Sequence, residues 1–362
     1  MAQNNHDSIG NDLGLKNVLV ARFSALGDVV MTIPVVYSAC AAYPGVRFVL
    51  VTRPAMTDIF LNAPANPIVV GADVKGKYKG IGGIRRLVDE VVDKYDIDAF
   101  VDLHDVLRTK LMRFFCRLKG LKVAKLNKGR AHKRALTCRY NKVILPLTSS
   151  RARYREAFFR IGLPVEDSFA GLYGRDGSGD VEVIRQITGS DKPQDVKWIG
   201  IAPFAAHAGK IYPPEKMEEV ITALEQRLKC RIFVFGGGGR EKDVAEGWEQ
   251  RHPQVTSLCG KRYGFPAELS LLSHLDVMVT MDSANMHLAS IVGAPTISIW
   301  GATHPYCGFK GWHQSDADMV QLPLTCRPCS VFGDKPCFRH DMLCLQAIRP
   351  ETIVKKVIEK LN

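Results

Sequence analysis

Four loops of the sequence carry polar side chains that a hydrophobic core does not need. Each loop follows an apolar run of strand length, and the side chains include Asp28, Lys210, Glu241, Asp282 and His287. Carboxylates and imidazoles can accept a proton, and a lysine can neutralise an anion. Glycines beside them let the backbone pass close to a ligand. Their positions indicate acid–base and anion-binding chemistry at the ends of strands.

The first loop, SALGD at 24–28, joins a strand to a helix. Gly27 permits a close backbone approach, and Asp28 stands where the helix opens. An acid in the first helical turn stabilises the helix macrodipole, which is one explanation for Asp28. A reactive carboxylate at the lip of a cleft is the other, and the spacing alone leaves both open.

The second and third loops have features of an anion site. Lys210 lies just ahead of a helix start at Pro213 and Pro214, where a cation is unfavourable unless an anion lies between the two. This placement predicts a bound phosphate, with a snorkelling surface lysine as the alternative. Four consecutive glycines precede Arg240 and Glu241 and would expose backbone amides, although they match neither a dinucleotide-binding nor a P-loop pattern.

The fourth loop, TMDSANMH at 280–287, again joins a strand to a helix. The amides near Ser283, Ala284 and Asn285 should therefore point outward at an anion. His287 lies one turn into this helix, where it fits a hydrogen-bonded core residue and a ligand contact equally well.

Strand-like and helical runs alternate along the chain and must position these loops. The alternation predicts an α/β fold with parallel, doubly wound sheets, interrupted by a Gly- and Asp-rich linker at 166–180. We expect an N-terminal Rossmann-like domain at 1–172 and a C-terminal one at 173–362, with a cysteine loop at 326–344 and a closing amphipathic helix. Ligands then bind at the carboxyl ends of the strands, between the two lobes.

Composition narrows the class of protein. The 362 residues, 46% hydrophobic and 24% charged, suffice for about two cores and carry no mark of disorder. The polar N-terminus lacks a basic and then apolar segment, so we expect a cytoplasmic protein without a signal peptide or membrane anchor.

Positive charge is concentrated in one segment. The formal net charge is +12, and residues 108–160 contain 17 Lys or Arg against one acid, Glu156. This excess predicts a basic patch that faces nucleic acid, phosphorylated lipid or a membrane surface. A solvated face without a partner is the alternative.

Four of the ten cysteines follow the pattern C-x2-C-x7-C-x6-C, at Cys326, Cys329, Cys337 and Cys344. Four thiolates could hold a tetrahedral zinc ion, and reduced thiols or a disulfide are the other possibilities.

Five segments stand in a fixed order: RFSALGDVVMTIP at 22–34, DLHDVLR at 102–108, KIYP at 210–213, DSANMHLA at 282–289 and GATHP at 301–305. Together they resemble glycosyltransferase family 9, the ADP-heptose–lipopolysaccharide heptosyltransferases, and the resemblance spans nearly the whole chain. The chain departs from the family at Ala284, where Gly is usual, at Tyr212, where Trp is usual, and at Ala302, where Pro is usual.

The resemblance implies a GT-B architecture with a lipid-linked acceptor on the N-terminal lobe and a nucleotide sugar on the C-terminal lobe. It also implies inversion at the anomeric carbon without a metal or other cofactor. Asp28 would then be the base that takes the proton of the acceptor hydroxyl. Lys210, with the amides at Ser283 and Ala284, would neutralise the departing diphosphate.

The remaining roles follow from position within the resemblance. Glu241 would hold the ribose, and Asp282 and His287 would orient the sugar or the diphosphate, beside Ala284 and Asn285. The expected acceptor contacts, on phosphates and carboxylates of a lipid A–inner core at the cytoplasmic face of the inner membrane, are Ser24, Arg108, Arg130, Lys133 and Arg134.

Three other functions remain open. A nucleic-acid-binding protein would use the same basic segment, but the sequence lacks the usual nucleic-acid motifs. A nucleotide-sugar-binding protein without activity would have no need of Asp28. A family member with another donor sugar is also consistent, because Ala284 and Asn285 line the predicted donor site.

Overall fold

The computed structural model describes residues Gly14 to Asn362, which form two compact units. One unit runs up to Gly129 and includes Thr148–Leu172, and the other comprises Arg130–Leu147 with Tyr173–Asn362. The second unit is continuous from Tyr173 onward, and it also includes Arg130–Leu147 from the middle of the first unit.

The reason lies in the polar contacts of this segment. The Leu147 amide donates to the Tyr306 carbonyl at 2.9 Å. The Lys142 ammonium donates to the carbonyls of Cys326 and Pro328 at 2.6 and 3.0 Å. Both contacts lie within the second unit, and the sequence carries no sign of them.

The first unit is built on a parallel five-stranded sheet in the order β3-β2-β1-β4-β5. Its central strands are apolar on both faces, and helices cover such strands in parallel sheets. The strands are β1 (Asn17–Ala21), β2 (Arg47–Thr52), β3 (Pro67–Gly71), β4 (Ala99–Asp102) and β5 (Lys122–Lys125). The helices are α1 (Leu26–Val30), α2 (Ile33–Ala42), α3 (Gly80–Tyr95), α4 (Leu107–Leu118) and, after the segment of the second unit, α6 (Ser150–Phe159).

The apolar residues after the loop at 24–28 do not form a single helix but two, α1 and α2. Pro34 lacks the amide that would continue a helix from α1, and a proline is instead accommodated in the first turn of a new helix. The Thr32 hydroxyl donates to the Val29 carbonyl at 2.6 Å at the break. The edge strand β3 is half-buried.

The second unit is built on a parallel six-stranded sheet in the order β11-β10-β9-β6-β7-β8. Its strands are β6 (Lys197–Ala202), β7 (Cys230–Val234), β8 (Val255–Ser257), β9 (Val277–Met281), β10 (Thr296–Ile299) and β11 (Met319–Val320). Its helices are α5 (Arg130–Thr137), α7 (Val181–Thr188), α8 (Pro214–Arg227), α9 (Arg240–Arg251), α10 (Phe265–Ser273), α11 (Ala284–Ile291), α12 (Leu343–Gln346) and α13 (Pro350–Leu361).

The prediction of an α/β chain with two parallel, doubly wound sheets is confirmed. Each sheet has its own buried core, and the second ends in the two-residue strand β11. Between residues 14 and 362, no helix combines the length and apolarity needed to cross a membrane.

Candidate active site

Asp28 lies in the short helix that follows β1 and is held by an ion pair. The Arg22 guanidinium contacts its carboxylate at 2.5 Å, and the two side chains are 10% and 26% exposed. The Ala25 amide also points at the carboxylate, at 3.4 Å. Asp28 therefore acts as a first-turn acid of α1, yet its carboxylate remains accessible to solvent.

Arg22 is itself fixed from a neighbouring strand. It donates to the Leu103 carbonyl at 2.6 Å, just beyond β4, which pairs with β1. Its guanidinium also lies 6.0 Å from the centre of the Tyr154 ring. These contacts leave the arginine little freedom, so the orientation of Asp28 is set by the ends of two adjacent strands.

The loop after β4 brings an imidazole to the same end of the sheet. The buried Asp102 carboxylate accepts from the amides of His104 and Asp105, both at 2.8 Å, and from Arg113 at 2.6 Å. This tight turn places His104 Nε2 3.4 Å from the Ser24 hydroxyl.

His104 is held in its neutral form. Burial lowers its pKa to about 3, and the positive charge of Arg22 acts in the same direction. A neutral imidazole can hydrogen-bond to Ser24 without competing with Arg22 for the Asp28 carboxylate. His104 therefore belongs to the structural surroundings of this loop at ordinary pH.

The five residues predicted to bind the acceptor are not brought together in one unit. Ser24 and Arg108 lie in the first unit, where the Arg108 guanidinium is 5.9 Å from the centre of the Phe23 ring. Arg130, Lys133 and Arg134 lie on α5 in the second unit.

Several of the cations at 108–160 are engaged in contacts within their own unit. Arg113 is buried against Asp102, and Lys142 donates to backbone carbonyls of the cysteine loop. Lys119 pairs with Asp89 and Asp93 of α3 at 3.1 and 3.0 Å. Part of the excess thus serves packing, and the rest is divided between the two units.

Lys210 follows β6 in the second unit and makes an ion pair with Asp282, which follows β9. The ammonium and carboxylate are 3.0 Å apart, with the side chains 15% and 4% exposed. The pairing arises because β6 and β9 are neighbours in the sheet. An ammonium has three donors, so the buried carboxylate can orient Lys210 while further donors stay available to a ligand.

Close packing fixes the backbone under Lys210. The Gly209 carbonyl accepts from the Ala302 amide at 2.8 Å, and the Gly209 amide donates to the Gly333 carbonyl at 3.3 Å. A Cβ added at Gly333 would lie 2.4 Å from Cγ of Lys210. The lysine stem therefore runs against a glycine of the cysteine loop, which leaves its position well defined.

Helix α11 begins beside this ion pair. Ser283 is the N-cap residue, and within the described chain no side chain caps the helix; the Ser283 hydroxyl lies 3.4 Å from that of Thr280. The half-buried Ser283, Ala284 and Asn285 thus start a helix whose first amides can receive an anion. His287 is buried one turn further on, which places it within the core side of the helix.

The Glu241 side chain is hydrogen-bonded to the backbone of the glycine loop. Its carboxylate accepts from the Gly237 amide at 2.7 Å. A Cβ at Gly236 would lie 2.7 Å from Sγ of Cys259 and 3.2 Å from the Glu241 carboxylate. Gly236 is therefore required by this packing, and the ribose role of Glu241 stays a prediction.

Of the three positions that depart from the family pattern, two are buried in the second unit and one lies at the start of a helix. Tyr212 is buried and donates its hydroxyl to the Ile348 carbonyl at 2.9 Å, so it serves packing. Ala302 is buried against the Gly209 backbone. Only Ala284 lies at the start of α11, where a ligand could reach it.

The cysteine loop lines one cavity of the second unit with Cys326, Cys329, Cys337 and Cys344. All four are free thiols, and burial raises the pKa of Cys344 to about 11. In the chain from residue 14 onward, no group of three or more His, Cys, Asp or Glu side chains is arranged to hold a metal ion.

Comparisons with known proteins point to one family of enzymes. The model of glycosyltransferase family 9 (heptosyltransferase) matches residues 164–335. Lipooligosaccharide heptosyltransferase 2 of Campylobacter jejuni is 23% identical over 93% of this chain and 96% of its own length.

Two solved structures share the fold over nearly their whole length. A family 9 glycosyltransferase from Veillonella parvula has a TM-score of 0.71 at 17% identity, covering 96% of this chain and 97% of its own. The heptosyltransferase WaaC of E. coli, solved with ADP-2-deoxy-2-fluoro heptose, has a TM-score of 0.61 at 19% identity, covering 96% and 100%. The chain therefore has the GT-B fold of these enzymes, with two Rossmann-like domains, and along nearly its whole length it is similar to the heptosyltransferases of glycosyltransferase family 9.

Proposed function

We propose that this heptosyltransferase acts in lipopolysaccharide core synthesis, transferring a heptose from ADP-heptose to an inner-core acceptor with inversion and without a metal. The relative in Campylobacter jejuni is named for lipooligosaccharide, and the structure of E. coli WaaC holds an ADP-linked heptose analogue. Those names support the donor and acceptor classes proposed for this chain.

The observation that carries the proposal is the accessible carboxylate of Asp28. It is 26% exposed although it is paired with a largely buried arginine. In the proposed reaction this carboxylate accepts the proton of an acceptor hydroxyl while the oxygen attacks the anomeric carbon. The bond from that carbon to the diphosphate breaks on the opposite face, which inverts the configuration.

The leaving diphosphate needs positive charge instead of a proton. Lys210 and the first amides of α11 supply that charge from one protein surface, which supports a mechanism that needs no metal. Glu241 for the ribose, and Asp282, Asn285 and His287 for the sugar and the diphosphate, complete the proposed donor site. The acceptor phosphates would meet Ser24, Arg108, Arg130, Lys133 and Arg134 at the cytoplasmic face of the inner membrane.

The variant Asp28→Asn tests the proposal. We expect kcat for transfer to fall by at least about a hundredfold, because the amide cannot accept the proton, while the Kd for ADP changes by no more than a few-fold. The measurements are product formation by mass spectrometry, with ADP-heptose and a heptose-free lipid A–core acceptor, and calorimetry of ADP binding.

Asp58→Asn is the matched control, since Asp58 is an exposed acid of the same unit. Its transfer rate should equal that of the wild type. Turnover by Asp28→Asn at the wild-type rate would refute the base assignment, and absence of heptose transfer by the wild type would refute the proposed donor or acceptor.

A further inference from the structure

Helix α4 (Leu107–Leu118) presents an outer face that is unusual for a surface helix. Leu107, Phe114 and Leu118 are 75%, 54% and 70% exposed. They are separated by seven and four positions, so a rotation of 100° per residue places them within about 40° of one line along the helix. The remaining exposed side chains between them include Lys110 and Arg117.

The inner face of α4 is buried against the core of the first unit. Its buried side chains are Thr109, Met112, Arg113 and Cys116. The row formed by Leu107, Phe114 and Leu118 is therefore a second apolar stripe, and packing within the first unit does not require it. We refer to this row with Lys110 and Arg117 as the outer face of α4.

Helix α13 (Pro350–Leu361) shows what an ordinary outer face looks like in this chain. It also has twelve residues and one buried apolar stripe, Ile353, Val354 and Val357. Its exposed positions include Glu351, Lys355 and Glu359 but no large apolar side chain. Polar outer faces are the norm for amphipathic surface helices, so the outer face of α4 needs a partner.

We propose that the outer face of α4 inserts into an anionic lipid bilayer. Leu107, Phe114 and Leu118 would enter the boundary between headgroups and acyl chains, and Lys110 and Arg117 would extend along the helix to the lipid phosphates. A helix that lies in the membrane plane needs such an apolar row with cations beside it. It does not need the length of a membrane-spanning segment.

Charge decides between a bilayer and a second copy of the chain. The outer face carries two cations and no acid, so a two-fold contact through it would place like charges opposite each other. An anionic lipid surface is complementary to the same cations, and each lysine or arginine near such a surface adds to the attraction. The sequence of α4 contains four Lys or Arg and no Asp or Glu.

This inference deepens the proposed function, on which it rests for the presence of a lipid-borne acceptor. The test is cosedimentation of the full chain with vesicles of phosphatidylcholine alone or with about one-third phosphatidylglycerol. The variant Phe114→Gln/Leu118→Gln should bind the anionic vesicles about tenfold or more weakly than the wild type, because two apolar side chains no longer enter the bilayer. Lys110→Gln/Arg117→Gln should lose mainly the preference for phosphatidylglycerol.

Val181→Gln is the control, because Val181 is an exposed apolar residue at the start of α7 in the second unit. It should bind vesicles as the wild type does. The Phe114→Gln/Leu118→Gln variant should keep the wild-type circular dichroism and the wild-type rate with a delipidated core acceptor, which separates membrane binding from transfer.

Unchanged vesicle affinity in that variant would overturn the proposal. A wild-type dimer that becomes monomeric in the variant, measured by light scattering, would also overturn it and assign the face to self-association. If the wild type binds vesicles through this face but transfers no heptose, the proposed function fails while the membrane surface stands.

Discussion

In each unit a partly exposed ion pair follows the carboxyl ends of the central strands, and the two pairs differ in which charge is the more exposed. In the first unit the cation Arg22 is 10% exposed and the acid Asp28 is 26% exposed. In the second unit the acid Asp282 is 4% exposed and the cation Lys210 is 15% exposed. Solvent therefore meets mainly a carboxylate in the first case and mainly an ammonium in the second.

The difference teaches how one kind of contact can serve two chemical tasks. The buried member of each pair is held by the fold and orients its partner. The more exposed member is left to meet a ligand. This division fits Asp28 to the role of proton acceptor and Lys210 to that of an anion contact, as proposed above.

The largest effect we expect outside catalysis is on stability. Asp282→Asn leaves the Lys210 ammonium without its counter-charge, whereas after Asp28→Asn the Arg22 guanidinium still donates to the Leu103 carbonyl. We expect the free energy of unfolding to fall by about 3 kcal/mol for Asp282→Asn and by about 1 kcal/mol for Asp28→Asn. Urea unfolding followed by circular dichroism measures both.

Equal losses for the two variants would contradict the proposed difference between the pairs. Asp316→Asn is a suitable control in the second unit, because the Asp316 side chain is 80% exposed in its ion pair with Lys310. Its substitution should leave the free energy of unfolding nearly unchanged.

The second prediction concerns the affinity for ADP. Lys210→Gln removes the exposed charge and should weaken ADP binding about tenfold to thirtyfold, in line with the loss of one charge-assisted hydrogen bond. Isothermal titration calorimetry with ADP alone measures the effect without any acceptor. Lys210→Arg should restore part of the affinity, because the positive charge is retained.

Asp28→Asn should leave ADP affinity within a few-fold of the wild type in the same experiment. If Lys210→Gln binds ADP as tightly as the wild type, the exposed cation has no part in the donor site. The two ion pairs would then differ in burial but not in function.

Much of the fold follows from the sequence because it depends on local patterns. The apolar runs that form β1, β6 and β9 are continuous, so their strands and the loops after them could be predicted. The loops that contain Asp28 and Lys210 were found for the same reason. The broken helix at Pro34 shows the limit of periodicity, because a run of apolar residues does not reveal where one helix ends and another begins.

The two ion pairs were harder to predict from the sequence than the strands and loops. Arg22 is six residues from Asp28 and could have been noticed, but its orientation depends on the Leu103 carbonyl of another strand. Lys210 and Asp282 are far apart in sequence, and only the adjacency of β6 and β9 brings them together. The sequence also could not divide the basic segment at Arg130, because its assignment to the second unit depends on tertiary contacts.

The smallest effect we expect is a pH dependence of stability that comes from His104. Burial, with the positive charge of Arg22 acting in the same direction, lowers the pKa of His104 to about 3, whereas an unfolded histidine titrates near 6.5. Between these values the unfolded chain binds a proton that the folded chain does not. The contribution of His104 is therefore intact above about pH 6.5 and declines as the pH falls toward the folded pKa.

Between pH 7 and pH 5.5 this single group should cost the wild type about 1 kcal/mol of unfolding free energy. His104→Gln keeps a hydrogen-bonding side chain but cannot take up the proton, so its stability should fall less over the same interval. His304 offers the comparison in the second unit, since burial, and then the charge of Arg327, lowers its pKa to about 4. His304→Gln should flatten the same profile. Identical profiles for the wild type and His104→Gln would mean that the folded chain protonates His104 as readily as the unfolded chain does. A second positive charge would then form beside Arg22 below about pH 6.5, and the surroundings of Asp28 would differ from those described here.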